Sequence, residues 1–409
     1  MEKIRSFIFY TLILGFIGAY FSITLYQGFF ILALLGGFVY LLIKIKQDGL
    51  SVLSPKGKLF YFPLLGHLSV ITISSILFLR VKEQWRRLIE QDFFSFSYFL
   101  AFIFEKKHTK KLLQCLAYLS VLGGFLLSLK IFYSFSQTHN GREVQGFWGG
   151  LFILGNLLSF SIFASLYLFL IENRKFLKFI WLIAGLTFII ATFMPDTRSV
   201  YLGLFTAVLI FYIGTLKVFK SLIYRISSLG MVIALFLLGF YFLIHSPRFG
   251  FYERIYHKYG LSEKSLNHIS SGRVVIAKGA IELIEKAYRE GDYVKLLVGW
   301  GYGPQKQYNN LPGGWKKIIN EYESFILLTE FINGGIINVI FIIWFYVSAI
   351  VLTFRIFRNL KNKDDLLLLS FISATWVNLI YHLFTLFWVP INSIYYLILG
   401  LLEIITRKE

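Results

Sequence analysis

Apolar runs of about twenty residues recur along most of the chain and are separated by short polar stretches. A bilayer core of roughly 30 Å requires about twenty apolar residues per helix, so each run predicts a membrane-spanning helix. The runs predict about twelve spans, two of them short, near 6–26, 29–45, 59–79, 93–104, 112–133, 148–171, 176–194, 199–216, 227–245, 324–354, 366–388 and 391–405. The expected fold class is all-α, with residues 1–409 forming a single polytopic transmembrane domain.

Lysine and arginine cluster after every even-numbered span. The clusters are Lys44, Lys46, Lys56 and Lys58; Lys106, Lys107, Lys110 and Lys111; Arg174 and Lys175; Lys217, Lys220 and Arg225; Arg355, Arg358, Lys361 and Lys363; and Arg407 and Lys408. Because such clusters favour the cytoplasmic side, both termini are expected in the cytoplasm. Residues 80–92 depart from this rule, either because the third and fourth spans are misjudged or because an amphipathic stretch lies against lipid phosphates on the outer surface. The second interpretation is favoured.

The composition supports a membrane protein. Of the 409 residues, 57% are hydrophobic and only 15% are charged, whereas about a quarter are charged in soluble domains. A net charge of +19 would suggest a nucleic-acid partner in a soluble protein, but here most of the charge flanks apolar spans. Membrane lipids, and not nucleic acid, are therefore the expected partner. The single cysteine, Cys115, can form no internal disulfide.

Residues 246–322 form the one long polar stretch, between the ninth and tenth spans, and are expected to be a large helical extracytoplasmic loop carrying much of the active site. Within this loop, apolar residues at helical spacing predict an amphipathic helix that ends at Gly291. Ser270 or Ser271 is its predicted N-cap, which puts Arg273 in the first turn. Arginine opposes the helix dipole there, and an anion bound to the guanidinium and the exposed amides would remove the conflict.

Arginines on the outer side are the candidates for binding phosphate. Arg198 follows Pro195 at the outer end of a span, where its planar fork could grip a phosphate; the alternative is an arginine paired with Asp196 or extended to the lipid headgroups. Arg273 is the second candidate, with a solvated helix-start charge as the alternative. Arg248 and Arg254 are further substrate-binding candidates, or simple interfacial anchors.

One more feature of the loop suggests a site. Gly301 lies in the run Gly299-Trp300-Gly301-Tyr302-Gly303, which requires flexible or left-handed backbone and permits close approach to a ligand. A tight turn explains the run equally well.

Glu323 directly precedes an apolar run, where a partly desolvated carboxylate with a raised pKa could accept a proton from a sugar hydroxyl. Alternatively, it only favours the helix dipole. Glu321 and Tyr322 compete for the role of base. The loop histidines, His257 and His268, show no metal-ligand spacing, so no metal site is predicted.

An ordered set of motifs over about residues 195–350 resembles the bacterial O-antigen ligase and O-antigen polymerase family of integral membrane glycosyltransferases. The motifs are Thr197-Arg198-Ser199 with Tyr201-Leu202-Gly203, Ser271-Gly272-Arg273, Leu297-Val298-Gly299 with the following glycines, and Glu323-Ser324 followed by Leu327 and Gly334-Gly335-Ile336. The chain departs from the ligase pattern at Glu323, where ligases have histidine. This departure favours the polymerase branch.

The resemblance implies a transferase that uses no metal or other cofactor and resides in the bacterial inner membrane. Its donor would be an oligosaccharide linked to undecaprenyl diphosphate, held by Arg198 and Arg273, with Glu323 as base. Independently of the resemblance, Tyr322 is a further candidate for binding the substrate. The acceptor would be a second lipid-linked glycan in a polymerase, or lipid A core in a ligase.

Two other classes of protein also fit the pattern. A lipid or polysaccharide transporter would typically show charges within spans or helices broken by Gly or Pro. Here the span interiors are interpreted as nearly free of charge, which disfavours transport. A non-catalytic membrane scaffold is the remaining alternative.

Overall fold

The computed structural model describes residues 1–54, 58–78, 93–141, 143–148, 150–195, 197–221, 247–260, 262–270, 272–301, 325–384 and 391–407, with isolated positions between 225 and 244. This part of the chain is helical and contains no strand. It includes eight helices long and apolar enough to cross a membrane. The expected helical, polytopic membrane protein is therefore confirmed. The count of twelve spans stays a prediction, since the ninth span falls largely outside the described residues.

The helices follow the predicted runs closely. They are α1 (Glu2–Phe21), α2 (Ile23–Asp48), α3 (Tyr61–Leu77), α4 (Lys106–Thr138), α5 (Leu151–Ile171), α6 (Lys175–Phe193), α7 (Arg198–Val218), α8 (Pro247–Tyr259), α9 (Glu263–Ile269), α10 (Arg273–Arg289), α11 (Tyr293–Val298), α12 (Ile326–Asn359), α13 (Leu366–His382) and α14 (Asn392–Thr406). A short helical segment, Phe93–Ile103, lies between α3 and α4. Inside lipid only the chain itself can pair the backbone groups, so apolar runs of this length form helices.

Contacts between chain segments bring the basic clusters to one end of the bundle. Lys106 Nζ donates to the Arg407 carbonyl oxygen at 3.0 Å, and Arg5 pairs with Glu105 at 2.8 Å. Asn359 Nδ2 donates to the Thr406 carbonyl oxygen at 3.3 Å, and Lys217 Nζ donates to the Phe357 carbonyl oxygen at 2.6 Å. We call this end the basic face.

The interior is packed with large aromatic residues, and its polar groups join neighbouring helices. Tyr395 Oη donates to the Asn156 carbonyl oxygen at 2.9 Å, joining α14 to α5, and Tyr346 Oη donates to the Leu379 carbonyl oxygen at 2.8 Å, joining α12 to α13. Gly203 lets α7 approach α13 closely, because a Cβ there would lie 2.6 Å from the Val377 carbonyl oxygen. Small residues permit such close packing of membrane helices.

Glu403 is fully buried near the basic face, although the sequence places it inside the last predicted span. Its Oε1 accepts from the Leu59 amide at 2.7 Å, and its Oε2 accepts from Tyr98 Oη at 2.7 Å. One carboxylate therefore joins α14 to the segment before α3 and to the helical segment before α4.

We expect Glu403→Leu to lower the thermal unfolding temperature of the purified protein in detergent. The substitution leaves the Leu59 amide and the Tyr98 hydroxyl without their acceptor, at a cost of about 1–3 kcal/mol for each buried donor. Glu403→Gln is the matched control, because its amide oxygen still accepts from Leu59. Equal unfolding temperatures for the leucine variant and the wild type would contradict the assignment.

Candidate functional site

Helix α10 confirms the amphipathic helix predicted in the loop, including Arg273 in its first turn. Its buried face includes Ala280, Leu283 and Ala287, which pack with Trp300 and Ile332 in a separate apolar cluster. Since Ile332 belongs to α12, the loop helix α10 packs directly on a helix long and apolar enough to cross a membrane.

The start of α10 differs from the prediction in one respect. Gly272, with φ of 88°, is the N-cap, where Ser270 or Ser271 was expected. Ser270 Oγ still accepts from the Val274 amide at 3.2 Å, and Asn267 Oδ1 accepts from the Val275 amide at 3.1 Å. Because two first-turn amides already have acceptors, a phosphate at this position would depend mainly on the guanidinium of Arg273.

The short helix α11 leads from α10 to the glycine-rich run. Asp292 is its N-cap and accepts from the Lys295 amide at 3.3 Å, and the Lys295 ammonium also bonds to Asp292. The hydrogen bond from that ammonium, with a smaller contribution from the amide, lowers the pKa of Asp292 below its usual value. Lys295 lies 5.9 Å from the centre of the Phe78 ring, next to the end of α3.

The beginning of the glycine-rich run is bound to a break in α12. Gly299 and Gly301 both have φ of 75°, which confirms the left-handed backbone expected of these glycines. The Trp300 amide donates to the Ile332 carbonyl oxygen at 2.7 Å, and the Gly301 amide donates to the Asn333 carbonyl oxygen at 3.0 Å. The role of Gly301 at the substrate stays a prediction.

The break occurs at two glycines inside the predicted tenth span. Gly334 has φ of −138° and ψ of 16°, and Gly335 has φ of 66° and ψ of −168°. In an unbroken helix the Ile332 and Asn333 carbonyls would accept from amides four residues onward. The break redirects these carbonyls, and the glycine-rich segment satisfies them.

A buried polar cluster lies beside the break. Asn338 Nδ2 donates to the Glu330 carbonyl oxygen at 3.0 Å and to Glu330 Oε2 at 2.9 Å, and Asn338 Oδ1 lies 2.6 Å from His67 Nδ1 on α3. The sequence pattern does not predict this cluster, and the expectation that span interiors are nearly free of charge is wrong at Glu330 and Glu403. The available signal was an acidic residue within an apolar run.

An apolar groove of about 780 Å³ lies between α10, α11 and α12. Its walls include Leu297, Phe331 and Ile336, and Glu285 and Arg289 lie at its border. The side chains of Tyr288 and Tyr293, also in the groove wall, are 67% and 62% exposed. A groove of this composition can take an apolar chain, with a charged group near Arg289.

Arg198 begins α7 at the end of the bundle opposite the basic face. Helices α7 and α13 run antiparallel, because Gly203 packs against Val377 and Gly214 against Leu369. The end of α13 is in turn bonded to the start of α12, where the Ile326 amide donates to the Leu383 carbonyl oxygen at 3.1 Å. Convergence of the Arg198 and Arg273 guanidinium groups stays a prediction.

The other predicted site residues are only partly described. Arg248 and Arg254 lie on α8, and Arg254 is exposed. Tyr322 and Glu323, with Glu321, fall in residues 302–324, outside the described residues. Within the described part of the chain, no group of three or more His, Cys, Asp and Glu residues could hold a metal ion.

No family model matches the chain. The chain is similar to an uncharacterized protein of Aquifex aeolicus (strain VF5), with 28% identity over 394 residues. The match covers 95% of this chain and 94% of that protein. The similarity therefore includes both the membrane helices and the loop region.

We expect Asp292→Ala to loosen α11 by about 1 kcal/mol, because the helix loses its side-chain cap. Hydrogen exchange of residues 293–301 measures the change, and Asp292→Asn, which keeps a capping oxygen, is the control.

In the wild type the folded-state pKa of Asp292 lies below the unfolded value of about 3.9. The stabilisation of α11 by the ionised Asp292 carboxylate is therefore present above about pH 4, and it is lost as the pH falls through the lower, folded-state pKa. Identical exchange in all three proteins would contradict the assignment.

Proposed function

We propose that this chain is a membrane glycosyltransferase of surface-polysaccharide assembly, acting on the face opposite the basic face. The observation that supports it most is the binding of the glycine-rich segment to α12. That contact joins the helix beginning at Arg273 to the membrane helix that follows Glu323, and an apolar groove lies at the same junction. A site built this way could serve a substrate that is part lipid and part sugar.

In the proposed reaction, the donor is an oligosaccharide linked to undecaprenyl diphosphate. The acceptor hydroxyl oxygen attacks the anomeric carbon of the donor sugar, and the bond from that carbon to the phosphate oxygen breaks. Glu323 takes the hydroxyl proton, and the lipid diphosphate leaves with the additional negative charge. Arg198 and Arg273 stabilise that charge, and positioned cations are effective where charge develops in a transition state.

The acceptor defines the branch of the family. A second lipid-linked glycan makes the protein a polymerase, which we favour because Glu323 stands where ligases have histidine. Lipid A core would make it a ligase. Loss of a polymerase leaves lipopolysaccharide with a single repeat, whereas loss of a ligase leaves unmodified core, so a gene deletion distinguishes the two. Bacterial inner-membrane location with cytoplasmic termini is part of the same proposal, because the basic face then follows the positive-inside rule.

Transport of a lipid-linked glycan is the second candidate, because α12 has both features typical of transporters. The helix is broken at Gly334 and Gly335, and Glu330 is buried beside the break. Against transport, the break is filled by the backbone of Trp300 and Gly301. Substrate flux across proteoliposomes without a new glycosidic bond would favour transport over transfer.

We expect Arg198→Ala and Arg273→Ala each to lower turnover by roughly 10²–10³-fold, the usual effect of removing one such donor. The assay uses purified protein in proteoliposomes with undecaprenyl-diphosphate-linked oligosaccharide, and detects the extended glycan. Lysine at either position should restore activity partly, because it keeps the charge but loses the bidentate fork. Arg358→Ala, on the basic face, is the control. Full turnover of both folded alanine variants would refute the site.

We expect Glu323→Gln to lower kcat by roughly 10²–10⁴-fold with little change in KM, since a general base acts only in the chemical step. Glu321→Gln and Tyr322→Phe test the competing bases in the same assay. Glu290→Gln, which removes an exposed loop carboxylate, is the control. A larger loss in either competing variant than in Glu323→Gln would transfer the role to that residue.

A further inference from the structure

Helix α12 is broken at Gly334 and Gly335, whose backbone angles are not helical. A break inside a membrane helix is tolerated only where other groups satisfy the freed carbonyls. Here two of those carbonyls accept from Trp300 and Gly301, which lie some thirty residues earlier in the chain. The loop and the break therefore depend on each other.

Asn338 connects the two sides of the break. Its amide nitrogen reaches back to Glu330, bonding to both the carbonyl oxygen and the carboxylate. Its amide oxygen can only accept, so it receives the Nδ1–H of His67 across a distance of 2.6 Å. This arrangement requires glycine at position 334, because a Cβ there would lie only 2.5 Å from Asn338 Cβ. We call His67, Asn338 and Glu330 the clasp.

All three clasp residues are withdrawn from solvent. Glu330 is 2% exposed, Asn338 is fully buried and His67 is 5% exposed. Burying a carboxylate is costly, and well-packed apolar residues of similar volume are often at least as stabilising. Packing alone therefore gives little reason for a carboxylate, an amide and an imidazole at this depth, whereas a specific backbone geometry gives one.

Where the glycine-rich segment meets the break in α12, the two backbones lie so close that no side chain fits between them. A Cβ on Gly299 would lie 2.5 Å from the Gly334 nitrogen, and a Cβ on Gly335 would overlap the Leu297 carbonyl oxygen. Trp300, held in this contact, is 2% exposed. Small shifts of α12 at the break would therefore displace the glycine-rich segment.

Residues 302–324, which include the proposed base, begin directly after this contact and end where α12 begins. One end of the segment is fixed at Asn333, which accepts from Gly301, and the other is fixed at Ile326, which donates to Leu383. The two anchor points are seven positions apart, or about 10 Å along a helix. Both attachments are to α12, and the one at Asn333 adjoins the break.

The geometry points to the clasp as a set of positioning residues: His67, Asn338 and Glu330 fix the break in α12, and through it the start of the segment that carries Glu323. The clasp does not touch the substrate in this inference. Its effect on the reaction rests on the proposed function, whereas its effect on the contact between Gly301 and α12 does not.

The test uses two leucine variants that change side-chain volume little: Asn338→Leu removes all the side-chain hydrogen bonds of Asn338, and Glu330→Leu removes only the bond to the carboxylate. Both are compared with Glu330→Gln, whose amide oxygen still accepts from Asn338. Thr353→Val, an isosteric loss of a buried polar group farther along α12, is the control. Hydrogen exchange of the Trp300 and Gly301 amides reports the contact, and kcat and KM in the proteoliposome assay report the reaction.

In both leucine variants we expect exchange at Trp300 and Gly301 to rise about tenfold or more while exchange in α10 is unchanged, as in a local opening. We expect kcat to fall roughly 10²-fold with KM for the lipid-linked donor nearly constant, because a misplaced base affects the chemical step. Glu330→Gln and Thr353→Val should behave like the wild type.

Two results would overturn the inference. One is unchanged exchange at Trp300 and Gly301 in the folded leucine variants. The other is loss of turnover in Glu330→Gln with normal exchange, which would show that the charge of Glu330 acts directly. If Asn338→Leu does not fold, Glu330→Leu tests the bond to the carboxylate and His67→Leu tests the bond to the imidazole. If the wild type forms no glycosidic bond, the proposed function fails, while the exchange measurements still decide whether the clasp fixes the break.

Discussion

The backbone hydrogen bonds between Trp300, Gly301 and the break in α12 are the constraint on which the candidate site depends. In lipid, a carbonyl without a partner costs several kcal/mol, so a broken membrane helix needs donors from elsewhere. The loop supplies two amides, and the glycines on both sides of the contact let the two backbone segments approach closely. This contact joins the polar loop to α12, the most apolar of the candidate membrane spans.

The two ends of the bundle are built differently. At the basic face, hydrogen bonds join segments that are far apart in the chain. Lys106 donates to the Arg407 carbonyl oxygen, and Glu403 accepts hydrogen bonds from Leu59 and Tyr98. At the opposite end, α7 begins at Arg198, the start of α12 is bonded to the end of α13 through Ile326 and Leu383, and the amphipathic α10 packs beside an apolar groove. The described contacts at the basic face stabilise the fold, whereas the groove at the opposite end has room for the apolar chain of the proposed substrate.

The sequence predicts the long helices well because their signal is local. The predicted span 176–194 corresponds to Lys175–Phe193, and the amphipathic pattern in the loop predicts α10 with Arg273 in its first turn. The break in α12 is different, because an apolar run containing two glycines reads as one continuous span. The break is stabilised by hydrogen bonds from the Trp300 and Gly301 amides, which come close to it only in the folded chain. The burial of Glu330 is equally non-local, since its partner Asn338 is itself bonded to His67 on another helix.

The same features bear on the choice between a transferase and a transporter. Alternating access requires groups of helices to separate and repack, and buried hydrogen bonds between helices oppose such movement. In the described bundle, such bonds join α14 to α5 through Tyr395, α12 to α13 through Tyr346, and α3 to α12 through His67. Any repacking of these helix pairs would have to break these bonds. A bundle tied in this way is better suited to a fixed scaffold whose chemistry takes place at its edge. On this view the broken helix serves to hold a loop, and the buried carboxylate serves the break.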